Sequence, residues 1–125
     1  MNATLLVMTG GAIGAAGRYH LGRLVLHLGG MGFPYGTLVA NVTGGFLMGV
    51  LAGVLARSDF VDEPWRLLLG VGLLGGFTTF SAFSLEVLNM IERSEWSTAI
   101  GYALLSVVGS VLALFAGLMT VRVLA

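Results

Sequence analysis

An all-α integral membrane protein of four transmembrane helices is the fold class this sequence predicts, and three observations predict it. Of its 125 residues, 57% are hydrophobic and only 10% are charged, far below the roughly one quarter expected of a soluble domain. The apolar residues fall into four long windows, each near or above the ~20 residues that a spanning helix needs, and they lack the alternation that marks strands. The chain also holds 20 glycines, too many for a soluble helical protein but suited to membrane helices that approach closely.

The first window covers about 3–26, with Arg18, His20 and Arg23 making its second half polar. The second covers about 35–55, the third about 65–91 and the fourth about 97–124, so the whole of 1–125 reads as one four-span membrane domain. Breakers and charges separate the windows: Gly29-Gly30-Met31-Gly32-Phe33-Pro34, then Arg57-Ser58-Asp59 through Asp62-Glu63-Pro64, then Glu92-Arg93-Ser94-Glu95. Tyr35, Trp65 and Trp96 fall at window ends, where aromatic side chains bridge lipid and water. Met1-Asn2-Ala3-Thr4 has no basic stretch, so no cleavable leader is expected. Cysteine is absent, which excludes disulfides and thiolate metal sites. A net charge near zero gives no electrostatic footprint for nucleic acid.

All the basic side chains other than histidine are arginine. In a four-span chain Arg57, Arg66 and Arg122 fall on one side of the membrane and Arg18, Arg23 and Arg93 on the other. Orientation normally follows an excess of arginine and lysine on the cytoplasmic side, and here the two sides balance. Two readings stand. Either orientation follows the placement of individual arginines relative to the interface, or the chain inserts both ways and two opposed copies pair as an antiparallel homodimer, two-fold pairs being the commonest oligomers. Gly10 with Gly14, Ala12 with Ala16, Gly45 with Gly49 and Gly49 with Gly53 have the small-xxx-small spacing of close helix packing, within one copy or between two.

The third window breaks its apolar run at Gly75-Gly76-Phe77-Thr78-Thr79-Phe80-Ser81-Ala82-Phe83-Ser84. Irregular polar backbone at bilayer depth survives only where protein buries it or where it lines a wet path. Glycine costs a helix about 1 kcal/mol relative to alanine, so the paired glycines predict a helix broken near Gly75–Thr78, with carbonyl oxygens freed for a donor or a small hard cation. An intact helix using the glycines for close packing is the alternative. Phe80 and Phe83 share a helix face, and Ser81 and Ser84 share an adjacent one. A phenyl edge is weakly electropositive and a hydroxyl is a donor, so rings and hydroxyls together suit a small anion that sheds water without sticking. Against this, phenylalanines at helical spacing are ordinary core, and serines at depth bond back to their own helix.

Asn41 is the one amide well inside a window, with Thr37 a turn before it. Such a group faces a pathway or an interhelical hydrogen bond. Tyr102, Ser106 and Ser110 recur every four residues and form a polar stripe on the fourth window. Glu86 reads as a vestibule charge, an ion-pair partner or an end residue, and Arg18 and Arg23 as anion attractors or anchors. His20 and His27 have no acidic residue at ligand spacing, and neither a nucleophile–base set nor a phosphate loop occurs, which argues against an enzyme.

Gly10-Gly11-Ala12-Ile13-Gly14-Ala15-Ala16-Gly17-Arg18-Tyr19, then Gly36-Thr37-Leu38 with Asn41 and Gly44, then Gly75-Gly76-Phe77-Thr78-Thr79-Phe80-Ser81 with Phe83, resemble the CrcB/Fluc fluoride channels of bacteria in order and spacing. The resemblance implies a multi-pass protein of the bacterial inner membrane that exports fluoride passively after HF has diffused in. It implies a dual-topology antiparallel homodimer with two fluoride pathways, each lined by Phe80, Phe83 and Asn41. Tyr102, Ser106 and Ser110 would continue the path, alongside Thr37, Thr79, Ser81 and Ser84. A structural sodium ion would sit at the dimer centre on backbone carbonyls that map to Gly75 and Thr78. One position departs from the family pattern: Ala82 stands where a threonine follows the serine. Two other classes compete with a channel. A small proton-coupled exporter needs an embedded carboxylate, for which Glu86 is a poor stand-in. A packing subunit without transport explains the glycines but not Asn41 or the hydroxyl run.

Overall fold

The computed structural model describes residues 2–29, 32–57 and 63–124. The predicted connectors at Gly30-Met31 and at Ser58, Asp59 and Asp62 lie outside the described residues. Every regular element is helical: α1 (Ala3–Gly29), α2 (Tyr35–Arg57), the one-turn α3 (Glu63–Trp65), a π-helical stretch (Arg66–Leu74), the short α4 (Gly75–Phe77), α5 (Ser81–Glu92) and α6 (Trp96–Leu124). Among the described residues no strand occurs.

Three of these stretches are long and apolar enough to cross a membrane: Tyr35–Arg57, Glu63–Glu92 and Trp96–Leu124. The first helix is not among them. At 27 residues it is about 40 Å long, but its second half carries Arg18, His20, Arg23 and His27, which dilute its hydropathy. Most large apolar side chains point outward, Leu104, Val111, Leu112 and Phe115 of α6 among them. An apolar exterior of this extent fits a chain whose solvent is lipid.

Missing side chains hold the helices together. A Cβ on Gly10 would collide with the Leu68 carbonyl and lie 2.7 Å from the Leu73 nitrogen, and one on Gly14 would strike the Leu73 carbonyl. The α1 backbone thus rests directly on the π stretch. In the same way Gly49 of α2 faces the Leu114 carbonyl of α6, and Gly117 of α6 faces the Phe46 carbonyl of α2. The predicted pairs Gly10/Gly14 and Gly45/Gly49 therefore pack within one chain, while Ala12 and Ala16 are exposed.

Local caps close the ends. Asn2 Oδ1 accepts the Thr4 N–H at 2.7 Å at the start of α1, an N-cap arrangement. After α5, Ser94 takes a left-handed φ of 61°. Its N–H donates to the Ile91 carbonyl and that of Glu95 to the Met90 carbonyl, the Schellman pattern usually built on glycine. The small aromatic core lies at this end, where Phe83 and Met90 of α5 meet Ala99 and Tyr102 of α6, with Phe33 and Leu38 against them.

Two glycine substitutions separate packing from propensity. Gly49→Val drives a side chain into α6 backbone and is expected to lower the unfolding free energy in detergent by ~3 kcal/mol or more. At Gly101 an added Cβ meets nothing within 4 Å, so Gly101→Ala is expected to raise it by about 0.5–1 kcal/mol. Equal effects at the two positions would refute the glycine-contact account.

Candidate functional site

The polar run of the third window leaves helical geometry at Thr78, with φ −84° and ψ 158°. This is later than the paired glycines predict. Gly75 is still helical and its N–H still bonds back to Gly70 and Gly72, while a Cβ on Gly76 would lie 2.6 Å from the Gly11 carbonyl. Packing against α1 thus keeps the glycines helical, and the departure falls on Thr78, Thr79 and Phe80. Helix resumes at Ser81.

The loosened backbone is held by side chains of other helices. Asn41 of α2 accepts the Thr79 N–H on Oδ1 at 2.7 Å and donates from Nδ2 to the Thr79 carbonyl at 2.9 Å. Arg18 of α1 donates from Nε to the Gly76 carbonyl at 3.4 Å. Both the N–H and the hydroxyl of Thr78 donate to the Leu74 carbonyl, at 3.0 and 2.9 Å. Thr79 Oγ1 accepts the Ala82 N–H at 3.2 Å and lies 3.5 Å from Ser81 Oγ.

Beside this turn lies a cavity of about 320 Å³, walled by Asn41, Thr78, Thr79, Phe80 and Phe83 on one side and by Ser106, Ser110 and two valines of α6 on the other. The Phe80 and Phe83 rings stand 5.6 Å apart, tilted by 40°. Phe83 is buried, whereas Phe80 is 77% exposed at the cavity's open side. Ser106 is only 6% exposed and its hydroxyl has no hydrogen-bond partner. An unpaired buried hydroxyl costs about 1–3 kcal/mol, and Ser106 contributes to the wall of this cavity. Ala82 does not line this cavity.

Four predicted residues lie elsewhere. Ser84 is exposed and its hydroxyl donates back to the Phe80 carbonyl at 2.9 Å. Ser81 is also exposed. Thr37 and Tyr102 meet beyond Phe83, on a residue whose role the sequence leaves open. Thr37 Oγ1 donates to one carboxylate oxygen of Glu86 at 3.0 Å and Tyr102 OH to the other at 2.9 Å. The Tyr102 ring, 1% exposed, packs 5.2 Å from that of Phe83. Glu86 follows Phe83 by one helical turn and therefore shares its face, a signal that points the carboxylate at the same stripe. Two ordered hydroxyls satisfy the charge where lipid would not.

Glu86 borders a further groove of about 210 Å³ that also includes Thr37 and Phe33. It adjoins a groove reaching Asn89 and Arg93 and another lined by Arg18, Tyr19 and Arg23. The hydroxyl- and phenyl-walled cavity shares no lining residue with the grooves bordered by Glu86 and by arginines. Among the described residues no group of three or more histidine, aspartate or glutamate side chains gathers to hold a metal.

A multi-pass helical membrane protein is the class that this fold defines. Residues 5–118 match the family described as CrcB-like protein, Camphor Resistance (CrcB). Relatives named "Fluoride-specific ion channel FluC" come from Phenylobacterium zucineum (strain HLK1), 60% identical over 98% of this chain and 97% of its own, and from Caulobacter sp. (strain K31), 53% identical over 98% and 96%. A third, from Caulobacter vibrioides (strain NA1000 / CB15N), is 51% identical over 98% and 97%. The chain belongs to the CrcB family.

Ser106 offers a test that needs no transport assay. Because its hydroxyl has no partner, Ser106→Ala is expected to leave the unfolding free energy in detergent unchanged or raise it by ~1 kcal/mol. A loss of more than about 1 kcal/mol would show that the hydroxyl is a structural bond.

Proposed function

We propose that this protein is a fluoride channel that lets the anion leave the cell passively, without a coupled gradient. The observation that carries the reading is one cavity at membrane depth whose wall joins Phe80 and Phe83 to Asn41, Ser106 and Ser110. An ion stripped of water at low dielectric loses tens of kcal/mol of hydration, so its path must supply donors. Ring edges and hydroxyls supply them weakly, and weak multiple sites allow an ion both to arrive and to leave. A lysine in the cavity would bind the anion and hold it, and none is present in the sequence. The names carried by the relatives at 60% and 53% identity support the same reading.

The path we infer runs from the arginine-bordered groove past Thr37, Glu86 and Tyr102 to Phe83, Phe80, Asn41, Ser106 and Ser110, with Thr79 at its wall and Ser81 and Ser84 at its edge. In this reading α1 is a fourth span, its basic half reaching the interface, and the third span is the broken one that holds the site. One copy leaves Phe80 uncovered. A second, inverted copy would close the cavity and explain the balanced arginines, giving a dual-topology homodimer with two pathways in the bacterial inner membrane.

The carbonyls of Gly75 and Thr78 fit a structural sodium ion at the centre of that dimer. The Thr79 N–H, which a continued helix would aim at the Gly75 carbonyl, goes to Asn41 instead, and among the described residues no donor outside the helices reaches either oxygen. Free carbonyl oxygens are ligands for a hard cation, and two copies would supply four.

Purified protein in liposomes is expected to release fluoride without an imposed proton gradient and to release chloride far more slowly. Equal leakage of the two anions, or a strict need for a proton gradient, would remove the channel reading and favour an exporter. Phe80→Ile and Phe83→Ile are each expected to lower fluoride efflux by about tenfold or more while the oligomer persists. Ser106→Ala is expected to lower it as well, despite its unimpaired stability.

A further inference from the structure

We propose that Asn41 is a positioning residue, whose carboxamide stands in for the peptide group that the interrupted helix lacks. The claim rests on the channel reading for its consequence, but not for its geometry. Thr79 is the middle residue of the three that leave the helix. Both of its backbone polar groups are paired to the one Asn41 side chain, N–H to Oδ1 at 2.7 Å and carbonyl to Nδ2 at 2.9 Å. A peptide group presents the same donor and acceptor, so the carboxamide completes the pairing that a neighbouring strand would give. At membrane depth lipid cannot replace it.

The seat for this turn is one face of α2. Gly44 lies one helical turn beyond Asn41, and a Cβ there would collide with the Thr78 side-chain methyl. Gly44 therefore makes room for Thr78 while Asn41 ties down Thr79. The constraint then passes along the chain. Thr79 Oγ1 accepts the Ala82 N–H in the first turn of α5, Phe80 stands between Thr79 and that turn, and Phe83 lies one residue beyond Ala82. The placement of both rings against the cavity thus depends on a bond to a residue 38 positions earlier. A direct contact between the Asn41 amide and a passing anion is not needed for this role, and at most one Nδ2 hydrogen remains for it.

An amide-to-ester replacement at residue 79 deletes the Thr79 N–H and leaves every side chain in place; it also makes the Thr78 carbonyl a weaker ester acceptor, so Asn41→Ala, which leaves that carbonyl intact, is its control. The ester protein is expected to lose about tenfold or more of its fluoride efflux. Asn41→Ala is expected to lose at least as much, and the combination little more than Asn41→Ala alone, since the bond that the ester deletes is one of the two that Asn41→Ala removes. Unchanged efflux in the ester protein, or losses that multiply in the combination, would overturn the proposal. Hydrogen exchange reads the geometry without transport. The Thr79 amide is expected to exchange about tenfold or more faster in Asn41→Ala than in the unsubstituted protein, with α6 unchanged. Loss of efflux in Asn41→Ala with Thr79 exchange unaltered would assign Asn41 to anion contact instead. If the unsubstituted protein conducts no fluoride, the channel reading fails, and the exchange measurement still decides the role of Asn41.

Discussion

Three residues outside the helices, Thr78 to Phe80, lie inside a stretch long and apolar enough to span a membrane, and lipid cannot bond the backbone groups they leave open, both of those on Thr79 among them. An unsatisfied peptide group there costs several kcal/mol, which by itself approaches the net stability of a small domain. The rest of the structure answers that constraint. The Asn41 carboxamide takes the Thr79 peptide, and the Arg18 guanidinium reaches the Gly76 carbonyl. The hydroxyl of Thr78 bonds back to Leu74. Helices α1 and α2 must then stand at fixed heights relative to the turn.

Backbone contact sets those heights. Gly10 and Gly14 bring α1 against the π stretch, and Gly49 and Gly117 bring α2 against α6. Such contacts tolerate little sliding, because an added methyl meets a carbonyl oxygen rather than a side chain that can turn aside. The π winding of Arg66–Leu74 has the same setting: its Gly72 lies on the α1 backbone while Gly70 faces the Leu51 side chain of α2, and wide helical turns of this kind recur at functional sites. Two tight helix pairs therefore position one irregular turn, and the cavity forms where that turn faces α6.

The cavity has few donors and no fixed positive charge on its walls. Its charged groups stand apart from it, with Glu86 held by Thr37 and Tyr102 and the arginines along the groove beyond. Charged groups and cavity wall are thus separate in the structure. A site with both in one place would bind an anion tightly and pass it slowly.

Much of this was legible in the amino-acid order. Long apolar runs without alternation dictate helices, because only a helix satisfies its own backbone in lipid. The four-residue spacing of Tyr102, Ser106 and Ser110 puts them on one side of α6, because helical period decides which residues of a helix share a face, and the three-residue spacing of Phe80 and Phe83 predicts two neighbouring rings. Tertiary packing decided the rest. Within the predicted Gly75–Thr78 interval, Gly75 and Gly76 stay helical against α1 and the chain leaves helical geometry at Thr78. The Ser84 hydroxyl closes on its own backbone, while that of Ser106, on the same kind of stripe, is left open. Asn41 meets Thr79 and Glu86 meets Thr37 across 38 and 49 residues. Those pairings depend on the height and rotation of whole helices, which glycine contacts set and no local pattern encodes.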